Sequence, residues 1–232
     1  MIQHRRKVDL DGQDLGWLKA RYHFTVRPSG NAQHGALGSL IVWNDDEVAP
    51  GAGFPMHPHR DVEIISYIRE GAVTHADDAG GEGRVAAGDV QVISAGSGIR
   101  HAESNRDATP LKLFQIWIRS NQRGAPPRWQ SKPFPRSHNA GRLVTLASGL
   151  PGDQDALPIR ADARVMGATL RTGETINHPL TTAGQVYLVP ARGSLLVNGE
   201  SVGTGDGVAL SELSRLVIEA IEGAEVVMVE VR

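Results

Sequence analysis

Two short segments carry side chains able to hold a metal ion. His57-Pro58-His59 sets two imidazoles two positions apart, and His101-Ala102-Glu103 repeats that spacing with an imidazole and a carboxylate. Residues i and i+2 of a β-strand point to the same face. Where two such strands face each other, three nitrogens and one carboxylate converge. That donor set takes a divalent first-row metal (iron, nickel, cobalt, manganese, copper or zinc) and leaves coordination positions open for ligands. Glu63 has the same strand parity as His57 and His59 and competes with Glu103 for the fourth position. Spacing does not choose between the two glutamates. Nor does it name the metal, because the affinities of these ions rank alike at most sites.

The other candidates for chemistry are weaker. His75, in Gly71-Ala-Val-Thr-His75-Ala-Asp77, follows a hairpin signal and reads as a strand-surface or hydrogen-bonded residue. His178 has no second imidazole nearby and reads as structural, while His4, His23, His34 and His138 fall in end or loop contexts and read as solvated or partly buried. Gly96-Ser97-Gly98 is followed by no Gly-Lys-Ser/Thr, so it is a turn that re-aims the chain before His101 rather than a phosphate loop. A serine hydrolase has little support: the one Gly-x-Ser-x-Gly match, Gly199-Glu-Ser201-Val-Gly203, sits in a stretch of turn residues rather than before a helix signal. Cysteine is absent, which excludes disulfides, thiolate metal sites and cysteine nucleophiles.

The elements that must position these residues read as short strands. Apolar runs rich in Val and Ile lie at 40–43, 62–68, 90–93, 113–118, 185–189, 194–197, 216–219 and 226–231, separated by Gly, Asp, Asn and Pro. Regular short strands with turn signals between them predict an all-β sandwich or barrel. A stretch such as residues 14–21 could hold a turn or short helix. The proline-dense stretch after residue 121 predicts a linker over 131–141, dividing the chain into domains 1–130 and 142–232. The halves share landmarks in one order. Gly51, His57-Pro-His59, Glu63, Gly71 and Gly88-Asp89 answer to Gly173, His178-Pro-Leu180, Gln185, Gly193 and Gly205-Asp206. This is the mark of a duplicated β unit, with the second copy lacking the second histidine and the glutamate.

Composition narrows the partners. The 232 residues are 40% apolar and 22% charged, an ordinary globular balance. With 24 basic and 26 acidic side chains, the chain gives no general reason to expect nucleic acid or an anionic membrane as partner. The apolar runs fall short of the ~18 residues that span a bilayer. Residues 1–10 are basic and lack an apolar signal core. A soluble, cytoplasmic protein is expected.

Gly51-x5-His57-x-His59-x3-Glu63-x7-Gly71 is similar to the first cupin motif, one residue longer than usual before Gly71. Gly88-x5-Ser94-x-Gly96…His101-x3-Asn105 is similar to the second, with serine where proline is common and two extra residues before the histidine. More specifically, the sequence resembles the pirin family, especially its bacterial members with quercetin 2,3-dioxygenase activity. The stretches that carry this are Gly16-Trp-Leu18, Asn44-Asp-Asp46, Phe54-x-Met-His57-Pro-His59-Arg-Asp-Val-Glu63, Glu70-Gly71-x-Val-x-His75-x-Asp77, Ser94-Ala-Gly-Ser-Gly-Ile-Arg-His101-Ala-Glu103 and Gln115-Ile-Trp117. They cover most of 16–129; the second half matches only through the degenerate cupin landmarks.

The resemblance implies a bicupin of two β-barrel domains, the N-terminal one binding metal and the C-terminal one without it. It implies the ligands His57, His59, His101 and Glu103, with iron the first expectation. It further implies a metal-dependent dioxygenase that opens a flavonol such as quercetin with O2 and releases carbon monoxide, with Glu103 as the base toward the flavonol 3-hydroxyl. The family also contains metal- or redox-dependent regulators that bind a transcription or metabolic protein partner, which is the alternative expectation. A cupin-type sugar isomerase, working without O2, is a third.

Overall fold

The structure, a computed structural model, describes residues 1–26, 28, 30–134, 142–181 and 184–232. The described residues are nearly all strand; their helices are two three-residue 3-10 turns, Lys7–Asp9 and Ala32–His34. None is long and apolar enough to cross a membrane. The 14–21 stretch is not a helix. It forms the strands Asp11–Asp14 and Leu18–Tyr22, and Leu18, Ala20 and Tyr22 alternate with exposed Lys19 and Arg21, a period of two rather than 3.6.

The chain divides into two compact units. One holds Asp11–Phe134 with Leu157–Ala161; the other holds Met1–Leu10, Asp162–Arg232 and the described residues that end at Ala156. The sequence boundaries therefore need two corrections. Ile2–Arg5 pairs with Gly207–Ser211, so the opening residues belong to the C-terminal unit. Arg128–Pro133 pairs with Asp89–Ser94, so 131–133 are strand, not linker. The rest of the expected linker, 135–141, lies outside the described residues.

In the first unit, one sheet runs in the order Arg128–Pro133, Asp89–Ser94, Val62–Glu70, Leu111–Arg119, Leu40–Val48, Leu18–Tyr22, Asp11–Asp14. The other runs Gly53–His59, Ile99–Ser104, Ala72–Asp77, Glu82–Ala86. Register sets which side chains share the interior. Leu113, Gln115 and Trp117 stand opposite Asp46, Asn44 and Val42 on one neighbour and Ile68, Ser66 and Ile64 on the other. Directly opposed residues share a face. Ile68, Leu111 and Leu113 pack with Val73 and Val85 of the second sheet in one apolar cluster, and Ile64, Ile93, Val62, Ala95 and Ile99 form another. The opposite face of the long strands is buried too, with Tyr67 packing against Phe114 and Phe134. Burial on both faces is why 62–68 reads as a nearly continuous apolar run.

One residue sets the course of the chain between the first histidine pair and the next strand. Asp61 lies in the left-handed region at φ 53°. Its backbone N–H donates to Gly96 O at 2.9 Å, and its Oδ1 accepts from the Gly124 N–H at 2.8 Å. Alanine there would keep the strain and lose the acceptor. Asp61→Ala is expected to cost about 1–2 kcal/mol, and Asp61→Asn less, since asparagine keeps a carbonyl and tolerates this region. Urea unfolding midpoints of the two variants check this order; equal midpoints would contradict it.

The second unit repeats the plan. Its smaller sheet runs Thr175–Pro179, Arg215–Ala220, Leu195–Val197, Glu200–Val202, the order of the first unit's smaller sheet. The paired landmark glycines all have positive φ: 73° and 79° at Gly51 and Gly173, 71° and 75° at Gly71 and Gly193, 90° and 80° at Gly88 and Gly205. At Gly71 a β-carbon would also sit 2.9 Å from Pro110 O, and at Gly193 2.5 Å from Gly223 O. The interior of this unit is apolar, built from residues such as Met166, Leu188, Ile218 and Met228.

Candidate metal centre

The interior of the first unit changes character between its two apolar clusters. His101 and Glu103 lie on Ile99–Ser104, whose buried residues are Ile99, His101 and Glu103. A register shift places His57 opposite His101 and Phe54 opposite Glu103 on one side, with Asp77 and His75 opposite the same two residues on the other.

The three imidazoles meet. His57, His59 and His101 offer ligand atoms within 4.8 Å of one another, and their ring centroids are 4.5–4.9 Å apart. His57 Nδ1 lies 2.8 Å from the Pro55 carbonyl oxygen. It must donate to that acceptor, which leaves Nε2 as a lone-pair donor for a metal. Burial, then the neighbouring His57, lowers the His59 pKa to about 4. Burial, then His57 and His59, lowers that of His101 to about 3. Both rings are therefore neutral at pH 7, as metal ligation requires. His101 is buried, and neither of its ring nitrogens has a hydrogen-bond partner. A buried polar atom without a partner is costly. Three converging imidazoles, with both nitrogens of His101 unpartnered, suit a divalent first-row metal.

Glu103 lies outside that close set of atoms. Its carboxylate accepts from Gln91 Nε2 at 2.5 Å and Gln115 Nε2 at 2.8 Å, with the Ser66 hydroxyl at 3.5 Å. Burial pushes its pKa up to about 7, and the glutamine and serine donors oppose the rise.

Glu63 does not face the site. It pairs with Ser94 across Val62–Glu70 and Asp89–Ser94 and accepts from the Ser94 hydroxyl at 2.5 Å. Its parity points opposite to that of Ile64, Ser66 and Ile68. The expected same-face relation with His57 and His59 fails because the Asp61 turn ends one strand and starts another. Burial raises the Glu63 pKa, opposed by Ser94 and the backbone of Arg160.

The other histidines have partners. His75 is hydrogen-bonded rather than a surface residue: its Nε2 is 2.8 Å from Asp77 Oδ2, and it is fully buried. His4 pairs with Asp206 at 3.2 Å. His23 and His34 are buried, not solvated or partly buried. His138 lies outside the described residues. His178 faces Glu230 in the second unit, with Nε2 3.7 Å from Oε2.

Sequence reasoning missed Gln91, Gln115 and Ser66, which carry no charge. The signal they leave is a single polar residue inside an apolar run, as in Val90-Gln91-Val92-Ile93. It also missed Asp46, a buried carboxyl that desolvation, then the charges of Asp45 and Glu103, push up to about 8.

One equivalent of metal per chain is expected. Among the described residues His57, His59 and His101 are the one group of three or more His, Cys, Asp or Glu residues placed to hold an ion, and a lone imidazole beside one carboxylate is a poor site for these metals. Elemental analysis tests this; close to two equivalents, with the second surviving His57→Ala, would contradict it.

Two β-barrel domains of cupin type, the first with a three-histidine group, define a two-domain cupin protein. The pirin family model matches residues 3–118, and a model described as the quercetinase C-terminal cupin domain matches 145–231. The chain belongs to the pirin family. It is 50% identical over 230 residues to the pirin-like protein of Caulobacter vibrioides, covering 99% of both chains. It is 32% identical over 230 residues to the quercetin 2,3-dioxygenase of Escherichia coli K12, covering 98% of this chain and 97% of that one. Its fold matches the crystal structure of the bacterial pirin YhhW of Escherichia coli in complex with nickel(II), with a TM-score of 0.92, 30% identity, and coverage of 100% of this chain and 99% of that one.

Proposed function

We propose that this chain is a metal-dependent dioxygenase that opens the ring of a flavonol such as quercetin with O2 and releases carbon monoxide. The observation that carries the reading is the triad His57, His59 and buried His101, with the unpartnered nitrogens of His101, beside an anchored Glu103. Glu103 is the fourth ligand and the base. Iron is the first expectation, and nickel, which the Escherichia coli relative holds, the next; cobalt, manganese, copper and zinc suit the same donors.

A bound ion would supply Lewis-acid stabilisation of the deprotonated flavonol and bring it against O2. The chain's own residues do the rest. Glu103 accepts the proton of the flavonol 3-hydroxyl, the part of a positioned carboxylate base. Gln91 and Gln115 hold its two oxygens in place. Trp117, whose ring centroid is 4.9 Å from that of His59, and Phe54, 6.4 Å from His57, offer flat apolar surfaces for the polyphenol and help exclude water.

Oxygen uptake by the metal-loaded protein on addition of quercetin tests the reading. Quercetin-dependent uptake with at least one of the named metals is expected. No uptake with any of them would overturn it, and tight binding of a protein partner would then support a regulator.

A further inference from the structure

Glu103 is buried, and its two oxygens are met by two glutamine amides of similar surroundings. Gln91 Nε2 reaches Glu103 Oε1 at 2.5 Å, and Gln91 Oε1 accepts from Trp129 Nε1 at 3.0 Å. Gln115 Nε2 reaches Glu103 Oε2 at 2.8 Å, and Gln115 Oε1 accepts from Trp117 Nε1 at 3.1 Å. An indole nitrogen can only donate and a carboxylate can only accept, so an amide between them has one orientation that satisfies both. The carboxylate already selects the amide N–H, and Gln91 Nε2 also donates to Ser66 Oγ at 3.2 Å; without the indole, the far end of each amide loses the bond that holds the arm in place.

We propose that Trp129 and Trp117 are positioning residues for Glu103, each anchoring the far end of one glutamine amide so that its N–H holds the carboxylate in place. The inference rests on the reading of Glu103 as a metal ligand and extends it to two residues that touch neither the ion nor the proton. Partners beyond the ligands tune metal sites in this way, typically by ten- to a hundred-fold in affinity.

Both indoles are held by more than their hydrogen bonds. Trp129 stacks on His75 at 5.1 Å with an interplanar angle of 3°, and Asp77 in turn fixes His75. Gly83, within Glu82–Ala86, leaves the space Trp129 occupies: a β-carbon there would lie 2.3 Å from Trp129 Cη2. Trp117 lies edge-on to His59. Phenylalanine at either position keeps a ring against these neighbours and deletes the N–H. Gly83→Ala leaves the indole intact and pushes it off its seat.

The test is nickel(II) affinity of the full chain, stripped of metal and titrated against a competing chelator, with the cobalt(II) absorption spectrum as a second readout. Trp129→Phe, Trp117→Phe and Gly83→Ala should each weaken nickel(II) about 10-fold, and the double Trp variant about 100-fold. In a Glu103→Gln background the Trp substitutions should add nothing, because the amide then has no carboxylate to orient. Trp43→Phe, a buried tryptophan ring that packs on Phe114, should lower the melting temperature and leave nickel(II) affinity unchanged. Should Trp129→Phe fail to fold, Gly83→Ala carries that arm. Wild-type affinity in both Trp variants, alongside weakened Glu103→Gln, overturns the proposal alone. Wild-type affinity and an unchanged cobalt(II) spectrum in Glu103→Gln overturn the ligand reading of Glu103 and this proposal with it.

Discussion

Glu103→Gln is expected to lower quercetin-dependent oxygen uptake by roughly 100-fold or more, the usual effect of losing a general base, while Glu63→Gln leaves uptake close to wild type. The asymmetry follows from where the two carboxyls point. Glutamine at 103 keeps the shape and can offer an amide oxygen to an ion, so part of the metal affinity survives, but it accepts no proton at neutral pH. It also sets one amide N–H against the N–H groups of Gln91 and Gln115, which now serve the carboxylate. Glu63 instead serves the sheet, taking the Ser94 hydroxyl at 2.5 Å on the face away from the triad. Its amide is expected to cost about 1 kcal/mol of stability through a weaker hydrogen bond. Oxygen uptake at matched metal content, with a denaturation curve for each variant, separates the two effects. A dead Glu63→Gln beside an active Glu103→Gln would reverse both assignments.

His57→Ala, His59→Ala and His101→Ala are each expected to leave the protein without bound metal after dialysis, and without quercetin-dependent uptake, while the fold persists. Each loss leaves two imidazoles of the close set and a carboxylate that lies outside it, so the ion loses one of the three ligands placed to hold it. The barrel keeps its apolar clusters on either side of the triad, and a core of this size does not depend on an ion as a zinc finger does. His101→Ala removes two buried nitrogens that have no partner, so the metal-free variant should melt close to the metal-free wild type. His75→Ala is the contrast: it breaks the bond to Asp77 and the stack on Trp129 and should melt lower. Metal content and circular dichroism, measured on the same samples, check the set. Unfolding of all three triad variants would mean that the histidines hold the barrel together rather than a metal.

Much of this was legible in the sequence. Short β-runs between turn residues gave an all-β chain, and the landmark glycines gave the duplication, because positive φ at a tight turn restricts the residue type at that position alone. The meeting of His57, His59 and His101 was legible as two same-face pairs, since strand parity is local. Parity misled where it was carried across a turn: Glu63 stands beyond Asp61, whose left-handed backbone resets the alternation. The period of two in Leu18–Tyr22 runs over only five residues, too few to impose a clear pattern. What joins distant strands was not legible. The Trp129–Gln91–Glu103 arm spans three strands and carries its only charge at one end. The docking of Ile2–Arg5 on Gly207–Ser211 depends on a pairing about two hundred residues apart in the chain.

The most direct measurement of the central claim is the carbon monoxide evolved per O2 consumed when the metal-loaded protein is given quercetin in a closed vessel. A dioxygenase that opens the flavonol ring with loss of one carbon yields one carbon monoxide for each O2, and His101→Ala abolishes both. Oxygen uptake without carbon monoxide, or uptake undiminished in His101→Ala, would contradict the account.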